Sequence, residues 1–282
     1  MRKIGLLRQL LSQVILVLAG LFTLVPLLNM FRIAFDSSIK GAPTSFRLIP
    51  ETFSLATFVN VWEAASQTLS YPELLRNSLV VSLSAAALSF AFGAGMAYAF
   101  ARYRFRGDRA GLFSVLLGAF LPPVALMTPL YILLEVMHLR TSLFGLILVY
   151  TAFSLPFCIW NMRSSFQAIS NEIEEAAFID GGNAFTVFRR ISLPLALPSI
   201  AVAALVAFLT AYSEFAIGWL FVEKSSNVTL AMAIWGIQSM GDQPWTQLAA
   251  LSILMSLPVI IIFIALQRLL LERFTFGSLR EQ

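Results

Sequence analysis

The residues that could carry chemistry in this sequence are mostly carboxylates and arginines, because the chain has one cysteine, Cys158, and one histidine, His138. Four acids fall within residues 172–180, with no histidine or cysteine beside them. A disulfide within the chain is excluded, and so is a Cys/His metal cluster. We therefore expect no metal, no cofactor and no catalytic residue in this acidic group.

Two common kinds of active site are not predicted either. The three lysines are Lys3, Lys40 and Lys224, and none completes a Gly-x-x-x-x-Gly-Lys-Ser/Thr phosphate-binding pattern. A hydrolase would need a nucleophile with a general base, but His138 is predicted in a loop and no Gly-x-Ser-x-Gly string occurs. The sequence indicates that the protein is not an enzyme. If ATP drives it, another chain must hydrolyse the ATP.

The acidic group belongs to residues 170–194, a polar stretch that predicts two short helices around a tight turn. Asn171 is placed to cap the first helix, with Glu174 three residues later as in a capping box. Asp180 and Gly181 end that helix, since glycine accepts the left-handed conformation after a last turn. The second helix carries apolar residues at helical spacing: Ala184, Phe185, Phe188 and Ile191.

Physics alone gives this amphipathic unit two interpretations. It could lie on the membrane surface. Alternatively, Phe185 and Phe188 could anchor in a groove of a partner, while the small residues Ala176 and Ala177 let that partner approach closely. The residue pattern leaves both interpretations open.

The same stretch resembles the EAA loop, the cytoplasmic signature of ABC importer permeases, at several fixed spacings: Glu175, Ala176, Ala177, Asp180, Gly181, Ile191, Leu193, Pro194 and Pro198. Residues 211–215 and 277–280 resemble the carbohydrate-uptake branch, the maltose-type second permease. Two positions depart from the family pattern. The family usually has proline at Ser170 and a small residue such as alanine at Gly182, and we expect Ser170 to weaken how the start of the loop is fixed.

The resemblance implies a permease subunit in a bacterial or archaeal plasma membrane, forming half of the path for a sugar or oligosaccharide. It implies four protein partners, namely a different permease subunit, two ATPase subunits and an external substrate-binding protein, besides membrane lipid and without nucleic acid. It also implies an ATPase-coupling role for residues of the loop: Glu174, Glu175, Ala176, Ala177, Asp180, Gly181, Phe185, Phe188, Leu193 and Pro194.

The elements that must position this loop are membrane spans. The chain is 59% hydrophobic and 12% charged, whereas soluble domains average about 25% charged residues. Six windows exceed the ~20 apolar residues that cross a bilayer. We therefore predict one all-α transmembrane domain over residues 1–282, with the loop between the fourth and fifth helices. The six spans are predicted at about 9–33, 77–101, 111–134, 142–162, 195–221 and 247–268. The first span is expected to be retained, not cleaved as a signal peptide.

The distribution of cations predicts the orientation of these spans. With both termini inside, thirteen of the nineteen lysines and arginines fall on the cytoplasmic side and six on the outer side. The positive-inside rule therefore places both termini and the loop at Gly181 in the cytoplasm. This argument does not depend on the resemblance.

Three further features concern the spans themselves. Pro122 and Pro123 predict a break in the third span, which neighbours or a water-filled path would have to satisfy. Glu214 is expected near the outer end of the fifth span, where it could contact a partner, line a gate or reach water. Residues 225–241 are too polar for a span and predict an external loop that dips toward the bundle mouth. In the resembled family the corresponding loop engages the binding protein; otherwise Trp235 would anchor an interfacial helix.

Two rival transport functions stay open. A proton-coupled secondary transporter would use buried acids, but Glu135, His138 and Glu214 all fall near predicted outer ends. The other rival is an ABC permease for a non-sugar solute, such as a glycerophosphate or a polyamine. Retention of an ATPase subunit in mild detergent would favour an importer over the proton-coupled protein.

Overall fold

The structure is a computed structural model that describes residues 6–43, 45–66, 68–238 and 244–278. In these ranges the regular elements are helices, accompanied by one isolated antiparallel bridge between Asp36 and Phe53. Arg2, Lys3 and Arg280, which entered the cation count, lie outside the described residues, as do 239–241 and 279–280 of the predicted segments. The helices, in chain order, are α1 (Leu6–Phe35), α2 (Ala56–Glu63), α3 (Tyr71–Arg102), α4 (Asp108–Phe120), α5 (Pro123–Val136), α6 (Leu143–Ala168), α7 (Asn171–Ile179), α8 (Ala184–Val187), α9 (Leu193–Leu195), α10 (Leu197–Ser213), α11 (Ala216–Phe221), α12 (Leu230–Gln238) and α13 (Trp245–Ser278).

Within the part of the chain that the structure describes, four helices, α1, α3, α6 and α13, are long and apolar enough to cross a membrane. Two bent pairs have the same apolar character. The first joins α4 and α5 at an angle of 104°, and the second joins Ala184–Leu195 to Leu197–Ser213 at 79°. If each pair is one span the total is six, so the predicted all-helical membrane fold is confirmed.

Pro122 and Pro123 set one helix boundary, and another lies at Glu214, where α10 ends. Pro122 is extended and Pro123 is the first residue of α5, because proline fixes φ and cannot continue the hydrogen-bond ladder of α4. The predicted break in the third span is therefore present. The predicted fifth span, 195–221, is not one continuous helix. It begins with the last residue of α9 and is then divided between α10, which ends at Ser213, and α11, which starts at Ala216.

One compact unit comprises residues 72–233 and 257–282. Within it α3, α6 and α10 pack closely. A Cβ added at Gly93 would lie 2.8 Å from Met162 Cε and 3.2 Å from Cys158 Cβ. Cys158 is fully buried, and its thiol donates to the Ala203 carbonyl at 3.6 Å. These small residues let the helix backbones approach closely.

Residues 225–230 are held within the same unit by the start of α3. Asn77 Nδ2 donates to the carbonyls of Ser226 at 2.8 Å and Val228 at 3.0 Å. Ser78 Oγ accepts from the Leu230 amide at 2.8 Å. The first four residues of α12, Leu230 to Ala233, are all buried. The described part of the predicted external loop is therefore a short 3₁₀ turn and a helix that is packed into the protein.

The other compact unit comprises residues 1–71 and 234–256. Asp36 is fully buried there and pairs with Arg32 at 3.3 Å. Burial would raise the pKa of this carboxyl, but hydrogen bonds from Ser38, Glu51 and Thr52 outweigh burial and lower the pKa well below its usual value. One ionised carboxylate thus organises the segment after α1.

Candidate functional site

The site is built on residues 170–194, and its first helix is capped by Ser170. The Ser170 hydroxyl accepts from the Glu172 amide at 3.3 Å, and α7 begins at Asn171. The prediction of Asn171 as the N-cap is therefore wrong by one residue, since serine is an equally good cap. Ser170 secures the start of the helix, contrary to the expectation that it would weaken it.

The helix ends in a turn that uses both glycines. Gly181 has a φ of +88°, and its amide donates to the Phe178 carbonyl at 3.0 Å. The Gly182 amide donates to the Ala177 carbonyl at 2.9 Å. This pair of bonds is a Schellman motif, and the left-handed conformation predicted for a glycine after the last turn is present at Gly181. A Cβ at Gly182 would lie 2.7 Å from the Ala177 oxygen, so this turn leaves no room for a side chain at that position.

The second helix begins as predicted and then widens. Asn183 Oδ1 accepts from the Thr186 amide at 2.9 Å, and α8 is followed by a π-helical turn, Phe188–Ser192. Pro194 comes directly after this turn. Because proline has no N–H and clashes with the carbonyl four residues earlier, the ladder widens ahead of it.

Glu174 points into the protein and joins several elements. Its Oε2 lies 2.9 Å from Arg102 Nε and accepts from Tyr98 Oη at 3.4 Å. Its Oε1 accepts from Ser192 Oγ at 2.6 Å. The capping-box prediction is therefore wrong, because with Ser170 as the cap Glu174 lies one residue beyond the capping-box position, and its carboxylate contacts other elements. We call Tyr98, Arg102, Glu174 and Ser192 the Glu174 cluster.

Arg102 also fixes the connection between α6 and α7. Its guanidinium donates to the Ile169 carbonyl at 2.9 Å and to Asn171 Oδ1 at 3.0 Å. The Nε contact with Glu174 is an ion pair whose N–H is not aligned for a hydrogen bond. The last residue of α3 thereby holds the end of α6, the start of α7 and, through Glu174, the π-helical turn.

The two phenylalanines of the loop face different surroundings. Phe188 is half-buried, and its ring lies 4.9 Å from Tyr98 and 6.2 Å from Phe166, centroid to centroid. Phe185 is 68% exposed, and Ile179, beside the turn, is 86% exposed. Phe185 is therefore the more exposed member of the predicted pair.

The remaining predicted loop residues lie mostly on the surface. Ala177 and Leu193 are half-buried. Exposed positions include Glu175, Ala176, Asp180, Gly181 and Pro194. The loop thus has an anchored inner side, which contains Glu174 and Phe188, and an open outer side that carries most of the signature.

The predicted outer residues are placed differently from each other. Glu214 lies where α10 ends, and its carboxylate accepts from Tyr150 Oη at 2.6 Å and from the amides of Ile217 at 2.9 Å and Gly218 at 3.3 Å. It therefore connects α6 to the start of α11, a role that sequence reasoning missed. Trp235 is partly exposed on α12.

A second charged cluster lies before α6 and was not predicted. Arg140 pairs with Glu135 at 2.5 Å and with Glu223, and its guanidinium lies 4.9 Å from the centre of the Tyr131 ring. We call these four residues the Arg140 cluster. Nothing local in the sequence signals it, because Glu223 is 83 residues from Arg140.

Neither cluster is a metal site. Over the described ranges, no group of three or more histidine, cysteine, aspartate or glutamate side chains is arranged to hold a metal ion. The Glu174 cluster contains one carboxylate with its donors, so its chemistry is that of a buried structural junction.

Comparison with known proteins matches residues 89–276 to a family described as binding-protein-dependent transport system inner membrane component. An ABC transporter permease protein of Streptomyces antibioticus is 33% identical over 225 residues, which cover 79% of this chain and 97% of that protein. The trehalose/maltose transport system permease protein MalG of Thermococcus litoralis is 26% identical over 267 residues, 94% of each chain. A crystal structure of a bacterial ABC transporter involved in the import of the acidic polysaccharide alginate shares the fold, with a TM-score of 0.75, 21% identity and coverage of 95% of this chain and 99% of that chain.

Proposed function

Since the chain belongs to the family of binding-protein-dependent transport system inner membrane components, we propose that it forms half of a sugar or oligosaccharide path and couples to a separate ATPase through residues 170–194. Membership makes it a multi-pass inner-membrane permease subunit of an ABC importer, a transport component without a catalytic domain. The finer statements, which concern cargo, coupling, orientation and partners, are the proposal. Membership favours an importer over a proton-coupled transporter.

The observation that carries the coupling proposal is the two-sided build of the loop. The inner side is fixed by the Glu174 cluster, while Ile179 and Phe185 stand 86% and 68% exposed on the outer side. Large apolar side chains that are exposed on an otherwise polar segment favour an interaction site when they form one patch. A helix-in-groove contact with a cleft of the ATPase subunit would bury them.

The proposed orientation is supported by the cation count. Both termini and the loop are proposed to face the cytoplasm, where an ATPase would be found. The partners are then a second, different permease subunit, two ATPase subunits and an external substrate-binding protein. Membrane lipid covers exposed apolar side chains of the spans, such as Phe22 on α1 and Phe120 on α4.

The cargo is proposed to be a sugar or oligosaccharide. Support comes from the relative in Thermococcus litoralis, which is named as a trehalose/maltose transport protein and aligns along 94% of the chain. A glycerophosphate or a polyamine would instead make the chain a permease of another branch. Uptake of a panel of labelled solutes, in a strain that lacks this chain, would decide between these cargoes.

The experiment that tests coupling removes the exposed ring. We expect Phe185→Ala to reduce ATPase retention in mild detergent and to lower ATP-driven uptake, while insertion in the membrane is unchanged. Gly181→Val should act similarly, since a β-branched residue resists the left-handed conformation that Gly181 adopts.

The matched control is Phe113→Ala, which removes an equally exposed phenylalanine from α4 outside the loop. Wild-type ATPase retention and uptake in Phe185→Ala would contradict the docking proposal. Labelling of Ala177 from the outer side of intact cells would contradict the orientation.

A further inference from the structure

The two ends of α3 hold two segments that are distant in the sequence. At its end, Arg102 lies 2.9 Å from Glu174 of α7. Near its start, Asn77 donates to the carbonyls of Ser226 and Val228. The distance along the helix from Asn77 to Arg102 is about 38 Å at 1.5 Å per residue, so the two attachments lie a membrane thickness apart.

Both attachments are buried and polar. Asn77 is buried, and the side chains of Arg102 and Glu174 are 10% and 7% exposed. A buried ion pair contributes little net stability compared with apolar packing, but loss of one partner is strongly unfavourable. Such contacts fix one relative geometry of the joined elements. They are suited to keep the end of α3 and the loop together when either one moves.

We propose that α3 is the mechanical link between the ATPase-coupling loop and residues 225–230, with Arg102 and Asn77 as positioning residues at its two ends. This inference rests on the proposed function. The coupling loop directly adjoins α6 and α10 in the chain, and the Glu174 cluster adds α3 as a third span that moves with it. A displacement of the loop then reaches residues 225–230 through one continuous helix.

The link runs in both directions, because coupling between two sites is reciprocal. A binding protein that contacts the outer surface and an ATPase that contacts the loop would each bias the same position of α3. Stimulation of ATP hydrolysis by the binding protein reports whether the outer contact reaches the ATPase, and it is measured on the full assembly reconstituted in lipid vesicles with the labelled solute that the uptake panel identifies.

The test is a double-mutant cycle with Arg102→Gln and Asn77→Ala. We expect each single variant to lower the stimulation by roughly five- to tenfold, the low end of typical site-to-site coupling. Substitutions this far apart normally have additive effects on free energy, so their fold losses of stimulation multiply. If α3 is the link, the double variant is instead no worse than the worse single variant, because one break already disconnects the two ends.

The matched controls are Arg104→Gln and Arg76→Gln, which remove exposed arginines beside the two attachment points. Both are expected to keep wild-type stimulation. If Arg102→Gln fails to assemble, Tyr98→Phe takes its place, because it weakens the attachment of α3 by removing the 3.4 Å hydrogen bond to Glu174, without leaving a buried charge unpaired.

Two results would overturn the inference. One is unchanged stimulation in the single variants, and the other is a fold loss in the double variant equal to the product of the two single losses. Failure of the proposed function looks different, because the wild-type assembly itself would then show no ATP-driven uptake. If the wild type is active and the losses of the two single variants simply combine in the double variant, only the role of α3 is rejected.

Discussion

The Glu174 and Arg140 clusters use the same side-chain types in opposite ways. Each combines an arginine, a tyrosine and one or two glutamates, and they adjoin opposite ends of α6, whose 26 residues span roughly 39 Å. In the first, the side chains of Arg102 and Glu174 are 10% and 7% exposed. In the second, Glu135 and Glu223 are 57% and 64% exposed around Arg140.

The difference in exposure decides what each cluster can do. Water and salt screen the Arg140 pairs, so they contribute little to stability and can rearrange at low cost. The Glu174 carboxylate is shielded, so its donors must stay in place or leave a buried charge unpaired. The Glu174 cluster therefore fixes its end of α6 by a buried charge pair. The Arg140 cluster cannot do the same, so packing has to fix the other end of α6.

The largest effect is expected from removing the buried cation. Arg102→Met leaves Glu174 with hydrogen-bond donors but without a countercharge, which should destabilise the protein by about 3–5 kcal/mol. The measurement is the thermal unfolding midpoint of the purified assembly. Arg104→Met, an exposed arginine on the same stretch, is the control, and equal midpoints for the two variants would erase the contrast between the clusters.

A smaller effect is expected from packing at the Arg140 end. A Cβ at Gly218 would clash with Met232 Cε and would lie 2.9 Å from Tyr150 Oη, and both residues are buried. Gly218→Ala should therefore destabilise by about 1–3 kcal/mol through overpacking. Gly95→Ala is the matched control, since no atom lies within 4 Å of its Cβ position. The same midpoint assay should show a loss only for Gly218→Ala. An unaffected Gly218→Ala would mean that packing does not hold this end.

The smallest effect is expected from the exposed cation. Arg140→Gln breaks the pairs with Glu135 and Glu223, yet should cost only about 0–1 kcal/mol, and less as salt is added. Unfolding midpoints at low and high ionic strength measure this. A loss as large as that of Arg102→Met, or one that salt does not reduce, would place the two clusters in the same class.

Local signals allowed much of the fold and half of the loop to be predicted. The spans follow from apolar length, the break at Pro122 from proline stereochemistry, and the turn at Gly181 from the need for positive φ. Each of these depends on residues within one or two helical turns of each other.

The junction at Glu174 could not be predicted in the same way. Tyr98 is 76 residues away from Glu174, and no periodicity relates the end of α3 to α7. The error was also local, because Ser170 and Asn171 are both good caps. The cap position alone does not show that Glu174 is buried, because its partners Tyr98, Arg102 and Ser192 lie on other elements.

The burial of Cys158 has a practical consequence for every experiment above. Its thiol is enclosed at the contact of α3 and α6 and already donates to the Ala203 carbonyl. Thiol reagents should therefore find no native target on the folded chain, so probes can be attached to engineered cysteines in an otherwise unaltered sequence.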